Sequence, residues 1–109
     1  MYFYDLESME YKEKRENLHV KVITGKNIQI GFGKLDPGFT SDHSHPNEQI
    51  GRVISGEIEL TINGETKTCT AGDIYHIPPE AHHSFKVLSD RPAEIMDIFS
   101  PPKAENIIR

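Results

Sequence analysis

Residues 57–70 read EIELTINGETKTCT. Ile58, Leu60 and Ile62 alternate with Glu57, Glu59 and Thr61, so a strand here presents one apolar and one polar face. Asn63-Gly64 follows at once, the preferred pair for a two-residue type I′ turn, and ETKTCT is expected to return antiparallel. The same grammar extends outward. Downstream, Ala71-Gly72-Asp73 turns the chain, DIYHI runs to Pro78-Pro79, HSFKVL follows, and AEIMDIF at 93–99 alternates again. Upstream, LHVKVIT at 18–24 stops at Gly25, and NIQIGFGKL at 27–35 stops at the turn tripeptide Asp36-Pro37-Gly38. Seven or eight short strands with no convincing helix predict an all-β sandwich or barrel. The spacing divides the chain into an N-terminal arm or edge strand (1–17), a barrel (18–100) and a C-terminal tail (101–109) that packs outside or frays.

A chain of 109 residues suits one domain and buries roughly 65% of its unfolded surface, enough for one core without staples. Its one cysteine, Cys69, excludes an internal disulfide and points to a reducing compartment. Cys69 lies on the strand face opposite Thr66, Thr68 and Thr70, with no basic neighbour to make a thiolate, and is expected to be buried and inert. Neither a signal peptide nor a membrane span is evident, so a cytoplasmic location is expected. A net charge of −5 argues against a nucleic-acid partner, and no DNA-binding appendage is recognisable. The basic run Lys12–Arg15 is interrupted and flanked by glutamate, and is expected to be a solvated face.

Two of the 6 histidines stand one residue apart in SDHSHPNEQIGRVISGEIEL at 41–60. A regular strand would project His43, His45 and Gln49 to one side and Glu48 to the other. His82-His83 follows the Pro78-Pro79 corner. Should the scaffold close, His83 meets the first cluster, and three imidazoles with an amide oxygen make a pocket for a divalent transition metal.

The sequence resembles the cupin superfamily. Gly38, four residues, His43-Ser44-His45, three residues, Gln49, six residues and Gly56 match its first motif. Gly72, five residues, Pro78 and then His83 match its second. The first spacer is one residue shorter than is usual, and Glu80 stands where a glycine is expected. Gln49 replaces the acidic fourth ligand, unless a bulge turns Glu48 inward. The resemblance implies a single-domain jelly-roll β-barrel, usually a homodimer. It also implies His43, His45, His83 and Gln49 around one Ni, Zn, Fe, Mn or Cu ion, with His19, His76 and His82 on rim or surface. A neutral amide leaves the metal's charge uncancelled, which favours Lewis-acid chemistry on an anionic small molecule.

In AEIMDIF, Ile95, Asp97 and Phe99 share one face and Met96 and Ile98 the other; alternation does not decide which is buried. HSHPNEQIGRVISGEIELTINGE, IPPEAHHSF and DIFSPPK resemble the small cupins of pectin degradation that linearise unsaturated uronates. That resemblance implies a metal-dependent tautomerase opening a 4,5-unsaturated galacturonate to its linear keto form. Asp97 would move the proton, Phe99 would pack on the sugar, and Lys103 would meet its carboxylate where the family has arginine. Arg52, where tyrosine is common, is expected at the surface or a dimer interface. The competing expectations are an oxygen-using cupin dioxygenase and a non-catalytic, sugar-binding cupin.

Overall fold

In the computed structural model, residues 2–107 are described; Met1 of the expected arm and residues 108–109 of the expected tail lie outside them. Ten strands follow in order: β1 Lys12–Arg15, β2 Leu18–Thr24, β3 Gln29–Leu35, β4 Thr40–His43, β5 Glu48–Ser55, β6 Glu57–Ile62, β7 Glu65–Thr70, β8 Ile74–Ile77, β9 His83–Val87 and β10 Ala93–Ser100. Single 3-10 turns at Leu6–Ser8 and Ala104–Asn106 are the helical elements among the described residues. The strands form two antiparallel sheets, ordered β1-β2-β3-β10-β5-β8 and β4-β9-β6-β7. These sheets face one another as a jelly roll without hydrogen bonding continuously around a barrel.

The hairpin forms as its residues dictate. Asn63 and Gly64 both take positive φ, 47° and 86°, and β6 pairs with β7 from Glu57↔Thr70 to Ile62↔Glu65. Ile58 and Leu60 face inward from β6 and Cys69 from β7, all buried. Across the core they join Val53 and Ile77 from the larger sheet, and Leu35 and Phe39 at one side. Each such apolar side chain withdrawn from water stabilises the fold by roughly 1.5–3 kcal/mol, which makes this one shared core the main driving force for closure.

Ten strands rather than seven or eight reflect two local effects. The segment Lys12–Arg15 pairs with β2 as an edge strand, Lys12 opposite Val20. The second effect is at Pro46, where the chain cannot continue one strand from His43 to Gln49. Proline lacks an N–H for the ladder, and residues 44–47 leave the strand geometry there. His43 therefore ends β4 in the smaller sheet, and Gln49 lies near the start of β5 in the larger one.

Asp97 occupies the middle of β10, itself between β3 and β5. Its Cα partners are Gly31 on one side and Gly51 on the other. The row continues from Gly51 to Tyr75 on β8. Two glycines beside it leave the carboxylate room inside the sandwich, and the inward face of β10 is Ala93, Ile95, Asp97 and Phe99.

Candidate metal centre and its cavity

The three histidines converge by two routes. His43 at the end of β4 lies opposite His83 at the start of β9, and the ring centroids are 4.6 Å apart. His45 reaches the pair from the crossover between the sheets, 5.5 Å from His43 and 4.8 Å from His83. The candidate ligand nitrogens all lie within 4.8 Å of one another, so His43, His45 and His83 can hold a metal ion. The shared face expected for residues 43, 45 and 49 is thus achieved by a crossover between sheets, not by one strand.

Hydrogen bonds fix which ring nitrogens are free. His45 Nδ1 donates to the Asn47 carbonyl at 3.0 Å, and His83 Nδ1 to the Ala81 carbonyl at 2.9 Å. A neutral ring carries one N–H, so each Nε2 keeps a bare lone pair. His83 Nε2 is buried without a hydrogen-bond partner among the described residues. His45 Nε2 stands 3.2 Å from Gln49 Oε1. The Gln49 amide also hydrogen-bonds Asp97, and a carboxylate accepts from N–H, which turns Oε1 toward the imidazole. Two acceptors then face each other beside an orphaned third, and a divalent cation satisfies such a set. Burial lowers the pKa of all three rings, His43 to about 4 with help from neighbouring His83, so the rings are neutral and ready to ligate.

Gln49 is buried and Glu48 is exposed, so no bulge exchanges them. Glu48 instead pairs with His76 at 2.7 Å, His82 with Asp42, and His19 with Asp36 at 2.9 Å, all three histidines away from the centre.

The choice that alternation left open at β10 is resolved inward. Asp97 is 8% exposed, and Tyr75 donates its hydroxyl to Asp97 Oδ1 at 2.7 Å. Burial outweighs the hydrogen bonds from Gln49 and Tyr75 and the attraction of Lys103, lifting the carboxyl from 3.8 to about 6. Asp97 lines the same cavity, of about 80 Å³, as His43, His83, Gln49 and Phe99. Pockets for drug-sized ligands run to roughly 300–1,000 Å³, so this one suits a small molecule. The Phe99 ring stands 6.0 Å from His45, edge toward face.

The sequence reading missed Lys14 and the depth of the tail. Lys14 was expected on a solvated face, yet it is half-buried and lines the cavity. Lys103, which the resemblance puts at the site, lines it and is buried, and so is Asn106, in a tail otherwise expected outside. The alternation of KEKR could have suggested one inward lysine; nothing local signals the tail's return.

Comparison with known proteins agrees with this fold. The cupin domain family model matches residues 31–99. The pectin degradation protein KdgF of Dickeya dadantii is 28% identical over 109 residues, covering 95% of this chain and 96% of its own. The HTH-type transcriptional regulator PuuR of Escherichia coli is 38% identical over 78 residues, 70% of this chain, which spans only 42% of that longer protein. The structure of KdgF from a Halomonas species superposes with a TM-score of 0.91 at 22% identity, covering 98% of this chain and 99% of that one.

Proposed function

The chain belongs to the cupin domain family, and from that premise we propose that it is a metal-dependent tautomerase of a small sugar acid, opening a 4,5-unsaturated galacturonate to its linear keto form. One observation carries this reading: a buried carboxylate, Asp97, lines the same small cavity as His43 and His83, and the bare Nε2 atoms of His83 and His45 belong to the same imidazole cluster. A buried acid whose carboxyl stays raised to about 6 despite hydrogen bonds from Tyr75 and Gln49 is costly to keep, which favours a catalytic role over a binding module. The resemblance to KdgF of D. dadantii, over nearly the full length of both chains, supplies the substrate class.

His43, His45, His83 and Gln49 would hold the ion. All four donors are neutral, and the ion would supply Lewis-acid polarisation of the substrate's carboxylate and ring oxygen. The remaining work falls to side chains. In the reaction the anomeric hydroxyl loses a proton, the bond from carbon 1 to the ring oxygen breaks, and carbon 4 gains a proton as the enol becomes a ketone. The change is an isomerisation and needs no oxidant. Asp97 is suited to take the first proton and return the second, because its carboxyl, raised to about 6, exchanges protons near neutrality. Tyr75 and Gln49 orient it. Phe99 provides an apolar wall for the sugar ring, and Lys103 a charge for its carboxylate.

The test is the ultraviolet absorbance of the unsaturated uronate with metal-loaded protein. Absorbance should fall with wild type and persist with Asp97→Asn. A metal-loaded wild type that leaves it unchanged removes the proposal.

We also propose a homodimer. Ile50, Ile54, Ile74 and Ile98 stand exposed on the larger sheet's outer face, and Ile50 and Ile98 are direct cross-strand partners. Light scattering should report a dimer for wild type and a monomer for Ile54→Lys.

A further inference from the structure

Beyond the imidazoles and Asp97, the charged side chains lining the cavity are Lys14, Arg15 and Lys103. This is a local excess of positive charge in a chain of net charge −5. Lys103 Nζ pairs with Glu105 Oε1 at 2.8 Å and lies 5.3 Å from the Phe99 ring centroid. Lys14 Nζ stands 3.7 Å from the same Glu105 oxygen and donates to Asn106 Oδ1. Asn106 Nδ2 donates to Gln29 Oε1 at 3.1 Å, and Gln29 Nε2 donates to the Lys103 carbonyl at 3.2 Å. The tail is thereby locked against β3 with both ammoniums held in place. Two positive charges share one carboxylate, and that carboxylate is largely exposed, outside the cavity lining. Burial, then the charge of Lys103, brings the Lys14 pKa down to about 8.

We propose that Lys14 and Lys103 form a two-ammonium clamp for the carboxylate of a small acid in the cavity, with Glu105 holding the clamp together until the ligand arrives. The inference deepens the reading above and rests on this cavity being the ligand site, but not on turnover. A single lysine is a point charge that cannot grip a carboxylate at two oxygens as arginine does. Two lysines from opposite ends of the sequence restore a two-point grip. Arg15 adds long-range attraction from beside the Phe39 ring, 5.8 Å away. Charge-assisted hydrogen bonds of this kind are the strong ones, so losing one ammonium should cost roughly tenfold or more in affinity.

The experiment measures calorimetric binding of D-galacturonate, which lacks the reactive double bond, and of its uncharged methyl ester, to metal-loaded protein at low salt. Wild type should prefer the acid. Lys14→Met should weaken the acid roughly tenfold and leave the ester within about twofold. Glu105→Gln should strengthen the acid several-fold, since the clamp then lacks an internal anion. As a check independent of folding of the variants, galacturonate should slow reductive methylation of Lys14 in wild type, read by mass spectrometry. Equal binding of acid and ester by wild type, or Lys14 labelling unchanged by the acid, overturns the clamp. Tight, Lys14-dependent binding without conversion of the unsaturated uronate would instead overturn the tautomerase and leave the clamp standing.

Discussion

Tyr75 reaches Asp97 over the backbone of Gly51, hydroxyl to Oδ1 at 2.7 Å, along one row of the larger sheet. The bond stabilises the ionised carboxylate in a place where burial opposes it. Tyr75→Phe removes a hydrogen bond to a charged group, worth roughly 1.5–3 kcal/mol, so the Asp97 pKa should rise by about 1–2 units. The acidic limb of the kcat profile should move to higher pH by that amount, with metal content unchanged.

Gly51 is what allows the contact. A Cβ there would lie 2.1 Å from Asp97 Oδ1 and 2.3 Å from the Tyr75 ring. Gly51→Ala is expected to cost about 1–3 kcal/mol on denaturant unfolding. It should also displace one partner, so activity falls by more than the loss of folded protein explains.

Acid stability of the metal-free protein should reveal opposing charges. His43 titrates near 4 when folded against 6.5 ordinarily, and His45 and His83 are also lowered. Below pH 6.5 the unfolded chain therefore binds protons first, and stability is lost as pH falls toward 4. Asp97 acts in the opposite sense: its folded pKa of about 6 exceeds the ordinary 3.8, so its contribution grows as pH falls through that window. Asp97→Asn should raise stability at pH 7 by on the order of 2–3 kcal/mol and steepen the acid loss. Urea unfolding from pH 4 to 8 measures both.

His83→Ala should weaken metal binding by roughly a hundredfold or more, beyond the 10–100-fold usual for supporting residues. Gln49→Glu should tighten metal binding by adding a negative charge, while reducing turnover through a less electrophilic ion. Competition with a chromophoric chelator reads the first, and kcat the second.

Much of the fold was legible because its signals are local. Asn63-Gly64 needs only its own backbone to turn, and the alternation of Glu57–Ile62 assigns its inward face unaided. The convergence of His43, His45 and His83 was anticipated, but through a strand that Pro46 interrupts. Asp97 was ambiguous because a period of two fits either face. What decides it is register: Gly31 and Gly51 are placed beside it by pairing of β10 with distant strands, which alternation cannot convey. Lys14 and the tail were misjudged for a related reason. Their burial depends on contacts between residues about ninety positions apart, such as that of Lys14 with Asn106.

The span matched by the family model, 31–99, contains every imidazole of the centre and Asp97, while both ammoniums fall outside it. If Asp97 and the two lysines act as proposed, reactivity resides in the shared middle and the choice of ligand in the flanks. Substitutions at positions 14 and 103 would then alter what the cavity grips while leaving its imidazoles and Asp97 in place.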